Sequence, residues 1–267
     1  MQSEVSIAST DNPRVKAAVR LRKRRGRTTQ ERILIDGARE IARAIEGGVK
    51  LLEIFGCEPL SDAEELQGVW QRAAELGITR CRVAKRVFKK LCYGEHDDGL
   101  VAVADAPQQR LEKLQPANDA VVAVLVGLEK PGNVGAIFRS ADAAGVNAVL
   151  LADPQVDLFS PNIIRASLGT VFTMPSAAET SATVLGWLRE KKFRIVACRV
   201  DAEREYDENL YASPTAVVLG NEATGLPSDW LGDDIVPVCL PMLGRADSLN
   251  VSATAAVLLY EVRRQRK

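Results

Sequence analysis

The chain of 267 residues predicts an α/β protein of two modules, on three observations. Short, continuously apolar runs alternate with stretches of helical periodicity, the pattern of strands covered on both faces by helices. A polar, proline-bearing stretch, residues 107–118, divides the series in two. The longest apolar runs, such as Ala120–Val126, fall far short of the roughly 20 residues that a membrane helix needs.

The first module, residues 1–106, opens on a basic arm. "RILIDG" then reads as a strand and "AREIARAIEGG" as a helix closed by Gly47 and Gly48. The alternation continues with "LLEIFG" as strand, Asp62–Leu76 as helix, "ITRCRV" as strand, Lys85–Leu91 as helix and "GLVAVAD" as strand. After the linker, residues 119–267 make the second module. It begins with the strand "AVVAVLVG", the helix Val134–Ala144 and the strand "VNAVLLA". Helices over Pro161–Leu168 and Thr180–Lys192 follow, then strands "FRIVACRV", "TAVVLG" and "DIVPVCLPM". The last helix starts near Val251, where Val251, Ala255, Leu258 and Val262 form an apolar stripe at i, i+4, i+7 and i+11. Near-continuous apolar strands in this module predict a parallel sheet.

The bulk composition, 46% hydrophobic and 26% charged, is that of an ordinary globular chain. The N-terminus has no apolar stretch behind a basic start, so no signal peptide is expected and the cytoplasm is the expected compartment. Five cysteines, Cys57, Cys81, Cys92, Cys198 and Cys239, are widely spaced and form no CxxC pair, and the one histidine, His96, has no second ligand beside it. The reading is metal-free, without a disulfide framework. Basic and acidic residues balance at 35 each, but unevenly. Arg14 to Arg32 carries nine basic residues against Glu31 alone, including Arg20, Arg22, Lys23, Arg24, Arg25 and Arg27. Such a block is either a solvated arm or a phosphate-binding one.

In open parallel α/β sheets ligands bind beyond the carboxyl ends of the strands, and three loops at that edge are chemically unusual. "GLEKPGNVGAIFRSADAAG" carries Asn133 and Arg139, "GNEATGLP" carries Glu222 between Gly220 and Gly225, and "PMLGRADSLN" carries Ser248 and Asn250 ahead of the last helix. Each has a bland reading: Asn133, Ser248 and Asn250 as helix N-caps, the glycine loop as a turn, Arg139 as a surface residue. One cap would suffice for the last helix, and the excess of polar groups opens the reading of a site. Neither a GxxxxGK[ST] loop nor a GxGxxG fingerprint is present. "YGEHDDG", with Tyr93 and His96, reads as a polar turn.

Taken together, the N-x-G-x-x-x-R array of Asn133, Gly135 and Arg139, then "LGNEATGLP", then "LPMLGRADSLNVSATAAVLLYE" resemble the three motifs of the SpoU family of RNA ribose methyltransferases, within the SPOUT superfamily. "RASLGTVFTMP" resembles the segment between the first two motifs, and the N-terminal module is similar to a ribosomal-protein-like substrate-binding domain. The resemblance implies a homodimer whose C-terminal domain is tied in a deep trefoil knot, and transfer of a methyl group from S-adenosylmethionine to a ribose 2′-hydroxyl. It implies cofactor contacts from Leu219, Gly220, Asn221, Leu240, Met242, Ser248 and Leu249, and catalytic roles for Asn133, Arg139, Glu222, Ser248 and Asn250. Glu222 would orient Asn250 or the helix bearing Arg139. A guanidinium is a donor without an acceptor site, so Arg139 is read as a clamp on phosphate and emerging alkoxide, with Ser248 or water taking the proton. The basic arm would hold RNA phosphates, and the expected substrate is large-subunit ribosomal RNA. A transfer-RNA methyltransferase, an idle RNA-binding or ribosome-assembly protein and a Rossmann-type enzyme are the alternatives.

Overall fold

The computed structural model describes residues 4–59, 62–93, 99–211 and 214–266. The chain divides into two compact units: unit 1 holds the residues up to Gln108 together with Asp157–Thr173, and unit 2 holds Gln109–Val156 and the residues from Met174 onward.

Unit 1 begins with β1 (Glu4–Ile7), α1 (Pro13–Arg20) and α2 (Arg24–Gln30). Then come β2 (Arg32–Asp36), α3 (Ala38–Glu46), β3 (Leu51–Glu58), α4 (Glu64–Glu75), β4 (Thr79–Ala84), α5 (Lys85–Leu91) and β5 (Leu100–Asp105). The sheet order is β1-β4-β3-β5-β2, with β1, β4 and β3 parallel and β5 antiparallel to both neighbours. Its core under α1 and α5 joins Val15, Ala18 and Leu21 to Val87, Phe88 and Leu91.

The expected basic arm is therefore corrected to two helices. Asn12 caps α1, its side chain accepting from the Arg14 N–H at 2.9 Å, and Pro13 sits at the first helical position. Between the cations lie apolar residues at helical spacing, and their burial fixes α1. Arg27 in particular is no surface cation. It is 7% exposed, pairs with Asp157 through Nη2 at 2.6 Å and Nε at 2.7 Å, and donates from Nη1 to the Leu21 carbonyl at 2.7 Å. Arg20, Lys23, Arg24 and Arg25 remain exposed and Arg22 half-buried.

Removing one partner of a buried pair leaves a desolvated charge. Because Asp157 retains 23% side-chain exposure, Arg27→Ala is expected to cost about 2–4 kcal/mol, read in urea unfolding. The dependence of RNA affinity on salt is expected to stay unchanged, as a fold-holding rather than phosphate-holding arginine requires.

Unit 2 contains β6 (Val121–Val126), α6 (Pro131–Ala144) and β7 (Ala148–Ala152). The chain next supplies α7 (Pro161–Ala166) and α8 (Thr170–Thr173), which group with unit 1 and not, as expected, with the C-terminal module. The physical reason lies in arginine contacts: besides Arg27–Asp157, Arg43 donates to the Leu168 carbonyl at 2.6 Å and Arg165 to the Tyr93 carbonyl at 2.6 Å. Unit 2 resumes with β8 (Ser176–Glu179), α9 (Ser181–Glu190), β9 (Arg194–Cys198), β10 (Thr215–Leu219), β11 (Ile235–Val238) and α10 (Val251–Gln265). All six strands are parallel, in the order β11-β9-β10-β6-β7-β8. The expected linker is structured from Gln109 onward: Leu111 lies in a 3-10 turn and is buried in the core of this unit.

The last strand is shorter than "DIVPVCLPM" predicted. Pro237, which has no N–H, stands in edge strand β11. Cys239 beyond it bonds instead to the loop after β9, through Cys239 N–H to the Arg204 carbonyl and Tyr206 N–H to the Cys239 carbonyl. The predicted stripe on α10 is buried, and α10 packs along α6. Among the described residues no helix is long and apolar enough to cross a membrane.

Candidate active site

The sheet of unit 2 begins at β6 in its interior, runs outward to β7 and β8, and is then completed on the other side. The reversal of direction lies between β6 and β10, whose carboxyl ends are neighbours. Such a switch point opens a crevice between diverging connections, and the three polar loops converge on it.

The loop after β10 folds back on itself: Asn221 and Gly225 exchange backbone bonds of 3.0 and 2.9 Å, with Gly225 at φ +70°. Gly220 is required by that closeness, since a Cβ there would lie 2.6 Å from the Gly225 carbonyl carbon. The Asn221 side chain is spent on the scaffold. Its Nδ2 donates to the Gly127 carbonyl at 2.9 Å, and its Oδ1 accepts from the Ala223 and Thr224 N–H groups. Asn221 thus ties the ends of β6 and β10 together and offers the cleft its backbone.

Glu222 is half-buried and accepts a hydrogen bond from Nδ2 of Asn133. Asn133 is not a helix cap: α6 starts at Pro131 with Lys130 as N-cap residue, and Asn133 lies in the first turn with its side chain directed across to the other loop. Its Oδ1 accepts from Nδ2 of Asn250 at 3.3 Å. Asn250 does cap α10, its Oδ1 accepting from the Ser252 N–H at 2.9 Å and from the Ser252 hydroxyl at 2.6 Å. Glu222, Asn133 and Asn250 therefore form one chain of hydrogen bonds joining all three loops. The carboxylate, an acceptor only, fixes the orientation of the Asn133 amide, which in turn fixes that of Asn250.

Beside this chain lies a cleft of about 650 Å³, lined among others by Leu219, Gly220, Asn221, Glu222, Ser248, Leu249 and Asn250. A smaller lobe of about 250 Å³ shares Ser248 and Leu249 and adds Leu240 and Met242. Every residue expected at the cofactor lines one lobe or the other. The larger volume lies within the roughly 300–1,000 Å³ of small-molecule sites. Arg139, on the third turn of α6, lines neither. It is exposed and, among the described residues, makes no hydrogen bond or ion pair.

Sequence reasoning missed the loop after β9. Cys198, Arg199, Val200 and Asp201 line the cleft, as do Lys130 and Thr254. Arg199 forks onto Asp201 at 2.9 and 2.6 Å, holding that carboxyl below its usual range. Burial, with Cys239 adding to it, pushes the Cys198 thiol up to about 11, so at neutral pH it is a protonated thiol and no nucleophile. The signal was legible, since "CRVDAE" also follows an apolar strand at the carboxyl edge. His96 lies outside the described residues. Tyr93 is described, and its ring stacks under the Arg22 guanidinium at 5.6 Å.

Comparison with known proteins finds relatives along nearly the whole chain. Residues 12–102 match the MRM3-like substrate binding domain. A 23S rRNA (uridine(2479)-2′-O)-methyltransferase of Streptomyces viridochromogenes is 29% identical over 91% of this chain and 86% of its own. A crystal structure of an RNA 2′-O ribose methyltransferase is 43% identical, covers 98% of this chain and 99% of its own, and superposes with a TM-score of 0.87. The AdoMet-bound rRNA methyltransferase from Sinorhizobium meliloti is 26% identical, covers 98% of both chains and has a TM-score of 0.88. The model of the SpoU rRNA Methylase family matches residues 120–260, more than half of the sequence and all three loops of the cleft, and the chain belongs to that family.

Proposed function

We propose that this chain transfers a methyl group from S-adenosylmethionine to a ribose 2′-hydroxyl of large-subunit ribosomal RNA. The observation that carries the reading is the hydrogen-bonded series Glu222–Asn133–Asn250 at the mouth of a two-lobed cleft at the switch point. A cap and a turn alone do not need it. The relatives named as ribosomal RNA 2′-O-methyltransferases, matched over nearly the whole chain, support this substrate over transfer RNA.

The residues present fit the cofactor. Leu219, Leu240, Met242 and Leu249 give apolar walls for a flat heterocycle, and the backbone of Gly220 and Asn221 gives donors and acceptors at its edge. Ser248 and Asn250 hold the polar amino-acid end. When bound, S-adenosylmethionine supplies a methyl group on a sulfonium. The protein's part is alignment of the attacking oxygen, stabilisation of its developing charge, and disposal of its proton. Arg139 clamps the neighbouring phosphate and the emerging alkoxide through charge-assisted hydrogen bonds. Water takes the proton, either directly or through Ser248, exposed at the cleft lip, whose hydroxyl accepts it while passing its own proton on to solvent. Glu222 positions Asn133 and, through it, Asn250. No metal enters this scheme.

The finer architecture follows the same reading. Residues up to 106 serve RNA binding and 119–267 catalysis. On this reading the C-terminal unit is tied in a trefoil knot, supported by the anchoring of the loop after β9, at Arg204 and Tyr206 to Cys239 and at Asp207, Glu208 and Leu210 to Gln265. The enzyme works as a homodimer in the cytoplasm. Exposed Val257 and Tyr260, on the side of α10 away from its buried stripe, supply apolar surface for the second copy.

The test is transfer of labelled methyl from S-adenosylmethionine to unmodified ribosomal RNA and, separately, to transfer RNA, with mapping of alkali-resistant 2′-O-methyl positions. Label in one ribose of large-subunit RNA is expected. Label confined to transfer RNA would move the substrate, and none on any RNA or ribosomal particle would overturn the reading.

A further inference from the structure

The charge balance of the chain hides a concentration in unit 1. Residues 8–30 and 85–91 carry twelve basic residues and one acid, Asp11, in a chain with 35 of each sign. These segments are far apart in sequence and adjacent in the fold. Helices α1 and α5 share a core, the Arg22 guanidinium donates to the Lys90 carbonyl at 3.3 Å, and Arg86 reaches the Ala8 carbonyl at 2.9 Å. Asp11 sits between them, its carboxyl held below the usual range by the hydrogen bond and charge of Lys16, with Lys90 adding to the effect.

Helix α2 extends the same surface. Gly26 lies against the end of α1 so closely that a Cβ would fall 2.0 Å from the Arg20 carbonyl oxygen, which sets Arg24 and Arg25 beside Arg20. Arg27, Arg22 and Arg86 have tasks within the fold. Lys89 and Lys90, among the described residues, spend no side-chain hydrogen bond on it and are exposed.

We propose that α1, α2 and α5 form one phosphate-binding surface, with Lys16, Arg20, Lys23, Arg24, Lys89 and Lys90 as its contacts, and that its partner is the backbone of a double-helical RNA segment. The proposal rests on the methyltransferase reading for its biological role and names the form of RNA that the N-terminal unit holds. Its chemistry points to a helix: among the described residues the surface offers cations without an exposed aromatic platform, the Tyr93 ring lying under Arg22. Single strands are held by stacking of bases on aromatic faces, whereas an RNA duplex presents phosphates and hydroxyls read by shape.

Lys89→Ala/Lys90→Ala is the variant of choice, because both side chains are exposed and neither holds the fold. Binding to a short RNA hairpin is measured across a salt series, beside the same measurement with an unstructured polyuridine strand. The hairpin is expected to bind better than the strand, and the slope of log affinity against log salt to fall by about 1–2 in the variant. Its KM for ribosomal RNA is expected to rise about tenfold with kcat and cofactor affinity unchanged. An unchanged slope, or preference for the unstructured strand, would overturn the proposal even where methyl transfer is normal. Failure of the unaltered protein to methylate any RNA would instead remove the catalytic reading, leaving the hairpin result to decide this one.

Discussion

Arg139→Ala is expected to lower kcat by about 10²–10³-fold, with the affinity for S-adenosylmethionine and the melting temperature unchanged. The side chain is exposed on α6 and, among the described residues, bonds to nothing in the fold, so truncation removes no packing and leaves no buried group unpaired. Surface substitutions of that kind stay within about 0.5 kcal/mol. It also lines neither lobe of the cleft. What the substitution removes is an interaction with bound RNA, and the kinetic pattern tells which. A contact made equally in ground and transition states raises KM alone, whereas one that strengthens as the oxygen gains charge lowers kcat. The clamp reading requires the second pattern. Arg139→Lys keeps the charge and loses the planar fork that grips phosphate and alkoxide together, so it should recover only part of the rate. Near-normal kcat in Arg139→Ala at saturating RNA would sink the role assigned to this residue.

The sheet of unit 2 was legible because its strands are buried on both faces and their sequences are apolar without interruption, as in "VVAVLV" and "TAVVL". Strand β8, "SAAE", lacks that mark: small residues fit a buried strand but do not announce one. The basic helices were hidden for the opposite reason. Between Arg14 and Arg27 the apolar residues are few, and their spacing counts only once Val87, Phe88 and Leu91 are known to cover them. Arg27 shows a further limit, since nothing local separates an arginine that meets phosphate from one that meets Asp157, 130 residues away. The candidate site residues stood out through their loops, yet the loop positions left Asn133 open to a capping role. Only the placement of Glu222 opposite it, through the return of the chain to the strand beside β6, shows its side chain directed across the cleft and not capping α6.

Asn250 both caps α10 and bonds to Asn133, and a graded series separates the two contacts. Asn250→Ala removes the cap of α10 and the bond to Asn133; loss of the cap is worth about 1 kcal/mol, a fall of roughly 2–4 °C in melting temperature for a chain of this size. The loss of turnover is expected to be larger, about 10–100-fold, the size of coupling within one hydrogen-bond network, since the Asn133 amide loses one of the two contacts that orient it. Asn250→Ser restores a capping oxygen but is too short to span to Asn133, so stability should return while kcat does not. Asn250→Asp is the sharper test. Its carboxylate caps the helix at least as well and meets the positive end of the α10 dipole, yet it turns an oxygen toward Oδ1 of Asn133. Asn133 cannot rotate to receive it without giving up Glu222. The Asp variant is therefore expected to melt as high as the unaltered protein and to turn over more slowly than the Ser variant. Wild-type kcat in either would detach Asn250 from the chain of hydrogen bonds and reduce it to a cap. A Glu222→Ala background offers the complementary check, because there the Asn133 amide is free to rotate. The penalty of Asn250→Asp should then shrink, a non-additivity that only residues joined in one network produce.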